Sequence, residues 1–207
     1  TNGFLFLVGY HDKTIYMEYQ HSISDGRGFE EFIRCVLFQY LKNCGFPVEN
    51  DGSVRGMDTR WSPEESANGY EQLADREFSP DGIWKKPEAV HAPEVQWGAD
   101  GSEVVTEVTF PFSQLHDYAK SIGVSPLSVL APLMMKAFDD KFGGTDKPVI
   151  AEIPVDLRPL LPTLTTRYFI CFIDLPYFPE YRDLPNDEVF RRTKAFLKDQ
   201  MQREQLL

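Results

Sequence analysis

His21, Asp25 and Gly26, in the stretch Gln-His-Ser-Ile-Ser-Asp-Gly from residue 20 to 26, are the side chains whose types and spacing best suit chemistry. An imidazole titrates near neutral pH and is a natural general base. Asp-Gly favours a tight turn, and the glycine permits a positive φ or a close backbone approach. Asp25 is placed to cap a helix beginning near Gly28, or to reach an arginine and brace the turn. Neither role brings it to a substrate. On spacing alone, the plainer reading of His21 is a loop histidine bonded to that turn. Ser22 and Ser24 read as turn hydroxyls serving the backbone. Ser24 is no nucleophile, because GxSxG and a matching acid are missing. His11 in a hairpin turn, His91 in a connector and His116 on a short helix read as surface residues. No CxxC or HExxH is present, so neither a metal centre nor a tightly bound cofactor is expected.

The elements around these residues follow from periodicity. Residues 3–10 and 14–20 read as two strands joined by a hairpin turn at His11-Asp12-Lys13. Phe29, Phe32, Ile33, Val36, Leu37, Tyr40 and Leu41 have helical spacing over 29–43, and Gly45 and Pro47 stop that helix. Residues 46–102 are rich in Gly, Pro, Asp, Glu and Ser. They hold one candidate helix at 63–76, with Ser62 as N-cap and Glu65 completing a capping box. Residues 85–101 read as extended connector. Beyond them come a strand at 103–112, a helix at 114–122 capped by Ser113, and an apolar helix from Pro126 to Gly143-Gly144. Ser125 caps that second helix and Pro132 bends it. Strands at 148–158 and 167–178 and a helix at 187–205 capped by Asn186 complete the order. The class is α+β, with helices packed on a mostly antiparallel or mixed sheet.

The chain has 207 residues, 42% hydrophobic and 14% aromatic, which is enough for a core rather than global disorder. A net charge of -11 argues against a nucleic-acid partner. No apolar run reaches the length of a membrane span, and the N-terminal residues lack the marks of a signal peptide. Cys35, Cys44 and Cys171 have no metal spacing and read as thiols of a reducing cytoplasm, Cys35 and Cys171 buried. The first residue is Thr and already reads as strand, and the last residues lie within a helical pattern. The expectation is a piece of a longer polypeptide.

His-Ser-Ile-Ser-Asp-Gly (21–26) resembles the HxxxDG motif of the chloramphenicol acetyltransferase superfamily, which includes nonribosomal peptide synthetase condensation domains, BAHD acyltransferases and alcohol acetyltransferases. In that superfamily the motif follows a strand and precedes a long helix. Many members carry a second histidine where Gln20 stands. BAHD-like members keep only the one matching His21. Ile153-Pro-Val-Asp-Leu-Arg-Pro-Leu-Leu-Pro (153–162), followed by Tyr168-Phe169, is similar to the PVDLR strand and turn of BAHD and alcohol acetyltransferase-like proteins. The match places Asp156 and Arg158 at the strand end.

The resemblance implies a chloramphenicol acetyltransferase-like mixed sheet and parts of two lobes: 1–45 ending the first, 46–102 as crossover, and 103–207 starting the second. It implies a CoA-dependent acyltransferase with His21 as general base and Asp25 and Gly26 as architecture. The arginine partner of Asp25 is expected outside the chain. Arg158, Asp156 and Gln20 are expected to serve structure or substrate. The co-substrate would be acyl-CoA or a phosphopantetheine thioester, and the partners a small-molecule acceptor and a carrier protein in the condensation-type alternative. A non-catalytic binding domain of the same fold is the other alternative.

Overall fold

The computed structural model describes residues 3–57, 59–60, 62–74, 84–92 and 107–202. The chain folds as two compact units, Thr1–Ser79 with Val155–Cys171, and Pro80–Pro154 with Phe172–Leu207. Helices and strands are both present, as the α+β class requires. The division differs from the expected cuts at 45 and 102. Residues 155–171 join the first unit because side chains and main chain of 24–28 and 62–70 hold them there.

The first unit opens with a hairpin. Strand β1 (Phe6–His11) pairs antiparallel with β2 (Thr14–Tyr19), with Phe6 opposite Tyr19 and His11 opposite Thr14. His11 therefore belongs to the ladder. Asp12 and Lys13 alone turn the chain, Asp12 at a φ of 52°, a left-handed conformation that Asp tolerates better than most residues.

Helix α1 (Gly26–Asn43) begins earlier than the apolar spacing predicts, because Asp25 caps it: the Gly28 N–H donates to Asp25 Oδ1 at 2.8 Å. Gly45, at a φ of 81°, follows its end. Phe29 of α1 stacks on Tyr19 at 3.8 Å, and Phe32 meets Phe6 edge-on at 5.3 Å.

The expected helix over 63–76 is instead two 3₁₀ turns, Pro63–Ser66 and Gly69–Leu73. The capping box is present: the Ser62 N–H donates to Glu65 Oε1 at 2.8 Å. Asn68 caps the second turn through the Tyr70 N–H at 3.2 Å, which restarts the chain where a helix would have continued. Residues 75–76 lie outside the described residues. Residues 62–74 are also no loose crossover. The Thr166 N–H donates to the Glu65 carbonyl at 2.8 Å, and Thr165 Oγ1 donates to the Ala67 carbonyl at 2.6 Å. Tyr70 Oη donates to the Ile170 carbonyl at 2.5 Å.

In the second unit α2 (Phe112–Ser121), α3 (Pro126–Phe142) and α4 (Asn186–Gln200) pack about Ala119, Val124, Val129 and Phe190. Ser125 caps α3 by accepting from the Ser128 N–H at 3.2 Å, and Pro132 lies buried within it. The caps expected at Ser113 and Asn186 are not used. Those helices start at Phe112 and at Asn186 itself, each preceded by a proline in the N-cap position. Of the strand expected at 103–112, residues 103–106 lie outside the described residues, and 107–111 form no strand. The described part of the connector, 84–92, is tied down by the Val90 N–H donating to the Pro148 carbonyl at 2.9 Å. Lys86 also binds Glu152 at 2.9 Å and Asp174 at 2.8 Å.

Strands β3 (Val149–Asp156) and β4 (Ile170–Tyr177) form a second two-stranded sheet. The expected mixed sheet is thus, among the described residues, two separate pairs. Strand β4 starts at Ile170 rather than 167, because the peptide groups of Arg167 and Phe169 are held by the side chains of Arg158 and Asp25. Among the described residues no single helix is long and apolar enough to cross a membrane.

Candidate functional site

Asp25 is the centre of the first unit's polar core, 1% exposed. Its Oδ1 caps α1. Its Oδ2 accepts from the Phe169 N–H at 2.7 Å and from Arg158 Nη2 at 3.0 Å. The arginine expected outside the chain is therefore Arg158, whose side chain is only 12% exposed. Each nitrogen of that guanidinium also donates to a loop carbonyl or to Asp156. Nε binds the Thr165 carbonyl at 2.9 Å, Nη2 the Arg167 carbonyl at 2.7 Å, and Nη1 Asp156 Oδ1 at 2.8 Å. Asp156 Oδ1 also accepts from the Arg158 N–H at 3.1 Å. A buried carboxylate costs several kcal/mol of lost hydration unless its lone pairs are filled. Here two main-chain N–H groups and a guanidinium fill them.

The partners that Arg158 has in the structure are protein carbonyls and carboxylates. Arg158 and Asp156 fasten the 165–169 loop to the start of α1. Ser24 also serves the backbone, with its Oγ donating to the Thr166 carbonyl at 2.6 Å. That loop packs so close to α1 that a Cβ on Gly28 would collide with the Thr166 carbonyl.

Gly26 behaves differently from the sequence expectation. It is the first residue of α1, its φ is not positive, and a Cβ there would meet nothing within 4 Å. Gly28 is the glycine that the close approach requires. Nothing in its sequence setting marked it out from Gly26, because the neighbour that excludes a side chain lies more than a hundred residues away.

Glu65 supports the loop from the other side. Burial pushes its carboxyl up, but the Ser62 N–H and Arg55, 2.5 Å away, hold it below the ordinary carboxylate value. Phe169, fully buried, packs edge-on against Tyr70 at 5.0 Å. Burial raises the Tyr70 phenol, which stays neutral as donor to one Ile170 group and acceptor from the other.

His21 stands just outside this clamp. It is exposed, as are Gln20 and Ser22. The Gln20 N–H donates to the Leu5 carbonyl at 2.8 Å and its carbonyl accepts from the Ile23 N–H at 3.1 Å, so its backbone closes the strand-to-helix turn. The His21 ring lies 5.6 Å from that of Tyr168 at 69°, and 5.9 Å from that of Tyr19 at 40°. Among the described residues no hydrogen bond is made to its ring nitrogens. Tyr168, 147 positions away in sequence, carries no local signal linking it to His21.

Described residues of this unit line two open grooves. One, about 690 Å³, is lined by residues including Glu64, Gly69, Gln72, Arg158 and Thr163. The other, about 460 Å³, lies between hairpin and α1 and is lined by residues including Val8, Tyr10, Ile15 and Tyr40. His21 lines neither.

Elsewhere His11, His91 and His116 are exposed. Cys35 and Cys171 are half-buried rather than buried, and Cys44 is exposed, all as free thiols. Burial raises the Cys171 thiol.

The arrangement thus defines an α+β protein with an accessible histidine at a strand-to-helix turn, braced by a buried Asp–Arg pair. No protein-family model matches the chain, and no curated protein matches it.

Proposed function

We propose that this protein transfers an acyl group from a thioester, of the acyl-CoA type, to an alcohol or amine, with His21 as general base. One observation carries the reading. The HxxxDG stretch divides its labour: Asp25 is wholly engaged in the clamp, while the His21 nitrogens have no hydrogen-bond partner among the described residues. In the reaction a ring nitrogen takes the acceptor's proton as its oxygen or nitrogen attacks the thioester carbonyl. The tetrahedral adduct expels the thiolate, which recovers the proton from the imidazolium. General-base assistance contributes roughly 10²- to 10⁴-fold, and alignment of the two substrates supplies more. The resemblance of 153–169 to the PVDLR region of acyltransferases supports the same reading, as it supports a chloramphenicol acetyltransferase-like fold and a cytoplasmic setting where acyl-CoA is available.

The test is thiol release from acetyl-CoA and octanoyl-CoA by the full-length protein, with and without a panel of alcohols and amines. Acceptor-dependent release that falls at least ~10²-fold in His21→Ala is expected. Release undiminished in that variant sinks the assignment. Release seen only with an acyl-carrier protein as donor assigns the donor to the carrier.

A further inference from the structure

The two aromatic neighbours of His21 are themselves fixed. Tyr19 is paired with Phe6 in the β1–β2 ladder and stacks on Phe29 at 3.8 Å and 16°. Tyr168 lies between two held peptide groups. The carbonyl of Arg167 accepts from Arg158 Nη2 at 2.7 Å, and the N–H of Phe169 donates to Asp25 Oδ2 at 2.7 Å. Asp25 and Arg158 are joined at 3.0 Å. The two halves of one ion pair therefore grip the main chain on either side of Tyr168. Its ring then makes a T-shaped contact with the His21 imidazole, and its hydroxyl has no hydrogen-bond partner among the described residues.

We infer that Tyr168 is a positioning residue that, with Tyr19, holds the His21 ring in one orientation, so that the buried Asp25–Arg158 pair sets the histidine's geometry through Tyr168 rather than by touching it. The inference rests on the acyl-transfer reading of His21. The physics is that of an exposed imidazole with no hydrogen bond from the described residues to orient it. Ring contacts are then the restraint that keeps it from exchanging among rotamers. Edge-to-face contacts at these distances are favourable, and a base displaced by about 1 Å loses about 10²-fold in rate.

Three variants and two readouts test it in the full-length protein. Tyr168→Phe keeps the ring, whereas Tyr168→Leu and Tyr168→Met remove it from a half-buried position at similar volume. With acetyl-CoA and 1-hexanol, Leu and Met should lower kcat about tenfold or more while KM moves less than about twofold. Phe should stay within about twofold of the parent. The second readout needs no turnover. The ring protons of His21, assigned by their loss in His21→Gln, should be displaced from free-histidine positions by the ring currents of its neighbours in the parent and in Phe, and move toward those positions in Leu and Met. Unchanged His21 ring signals and unchanged kcat in both ring-deleted variants overturn the inference. So does a Phe variant as slow as Leu, which would give the role to the hydroxyl. Full activity in His21→Ala overturns the acyl-transfer reading instead, and leaves the ring-proton result to decide whether the contact exists.

Discussion

Among the described residues each unit sets a buried aspartate against an arginine, and the two pairs are built to different ends. In the first, Asp25 is bonded mainly to the backbone: it caps α1 and holds the Phe169 N–H, while Arg158 holds two carbonyls of the same loop. In the second, Asp139 near the end of α3 meets Arg182 in a two-pronged side-chain pair, Nε to Oδ2 at 2.8 Å and Nη2 to Oδ1 at 2.9 Å. One further bond joins Arg182 to the Thr145 carbonyl at 3.0 Å. The Asp139 pair is a staple between two side chains. The Asp25 pair determines the path of a loop. A pair that fixes main chain next to an exposed histidine couples stability to geometry, and a staple does not.

The largest expected effect comes from removing each carboxylate. Asp25→Ala strands a buried guanidinium and should cost about 3–5 kcal/mol, with about 1 kcal/mol more for the lost helix cap. Asp139→Ala should cost about 3 kcal/mol, at the low end, because the Arg182 side chain is 31% exposed and can turn to water. Urea unfolding of both variants measures the difference. The activity assay sharpens it: below its unfolding transition Asp25→Ala should also lose turnover, while Asp139→Ala keeps it. Equal losses of turnover would erase the distinction between clamp and staple.

A smaller effect separates two glycines of the same helix. A methyl group on Gly28 must push the Thr166 carbonyl and Ser24 Oγ aside, so Gly28→Ala should destabilise by about 1–3 kcal/mol. Gly26→Ala meets open space and should stabilise α1 by about 0.5–1 kcal/mol. The two melting temperatures should move in opposite directions. Movement in the same direction would mean that the loop is not held against α1 as tightly as the clamp requires.

What could be read from sequence divides along the same line. The strands and helices that advertise themselves by period, β1, β2, α1 and α3, were legible, with errors of a few residues at their ends. The extra turn of α1 came from the Asp25 cap rather than from apolar spacing. The local half of the site was legible too: histidine, turn aspartate and helix lie within eight residues. Its distant half was not. Arg158 looked like a strand-end charge and Tyr168 like the opening of a strand, because the contacts that define them span more than 130 residues. Residues 62–74 looked like linker because their composition is polar. Yet they pack through main-chain carbonyls, Glu65 and Ala67, which composition cannot reveal. Asp139, in Phe-Asp-Asp-Lys-Phe, carries no local signal of burial, because its partner Arg182 lies more than forty residues away.

The smallest effects are those of pH, and they test whether these carboxylates act as charges. Hydrogen bonding and charge from Arg182 hold the Asp139 carboxyl below its ordinary value of 3.8, against the opposing push of burial. A group whose pKa is lower folded than unfolded binds fewer protons in the native state. Its contribution is therefore complete above the unfolded value and is lost as pH falls through the folded one. Urea unfolding of the parent and Asp139→Asn should differ most above about pH 5, and the gap should narrow below 3.8. Glu65 should behave alike in the first unit. Its carboxyl, pushed up by burial but held down by the Ser62 N–H and Arg55, lies below its ordinary 4.5. The parent and Arg55→Ala should therefore converge below 4.5. A gap that stays constant or widens on acidification would show that the carboxylates are not the charged partners these contacts make them.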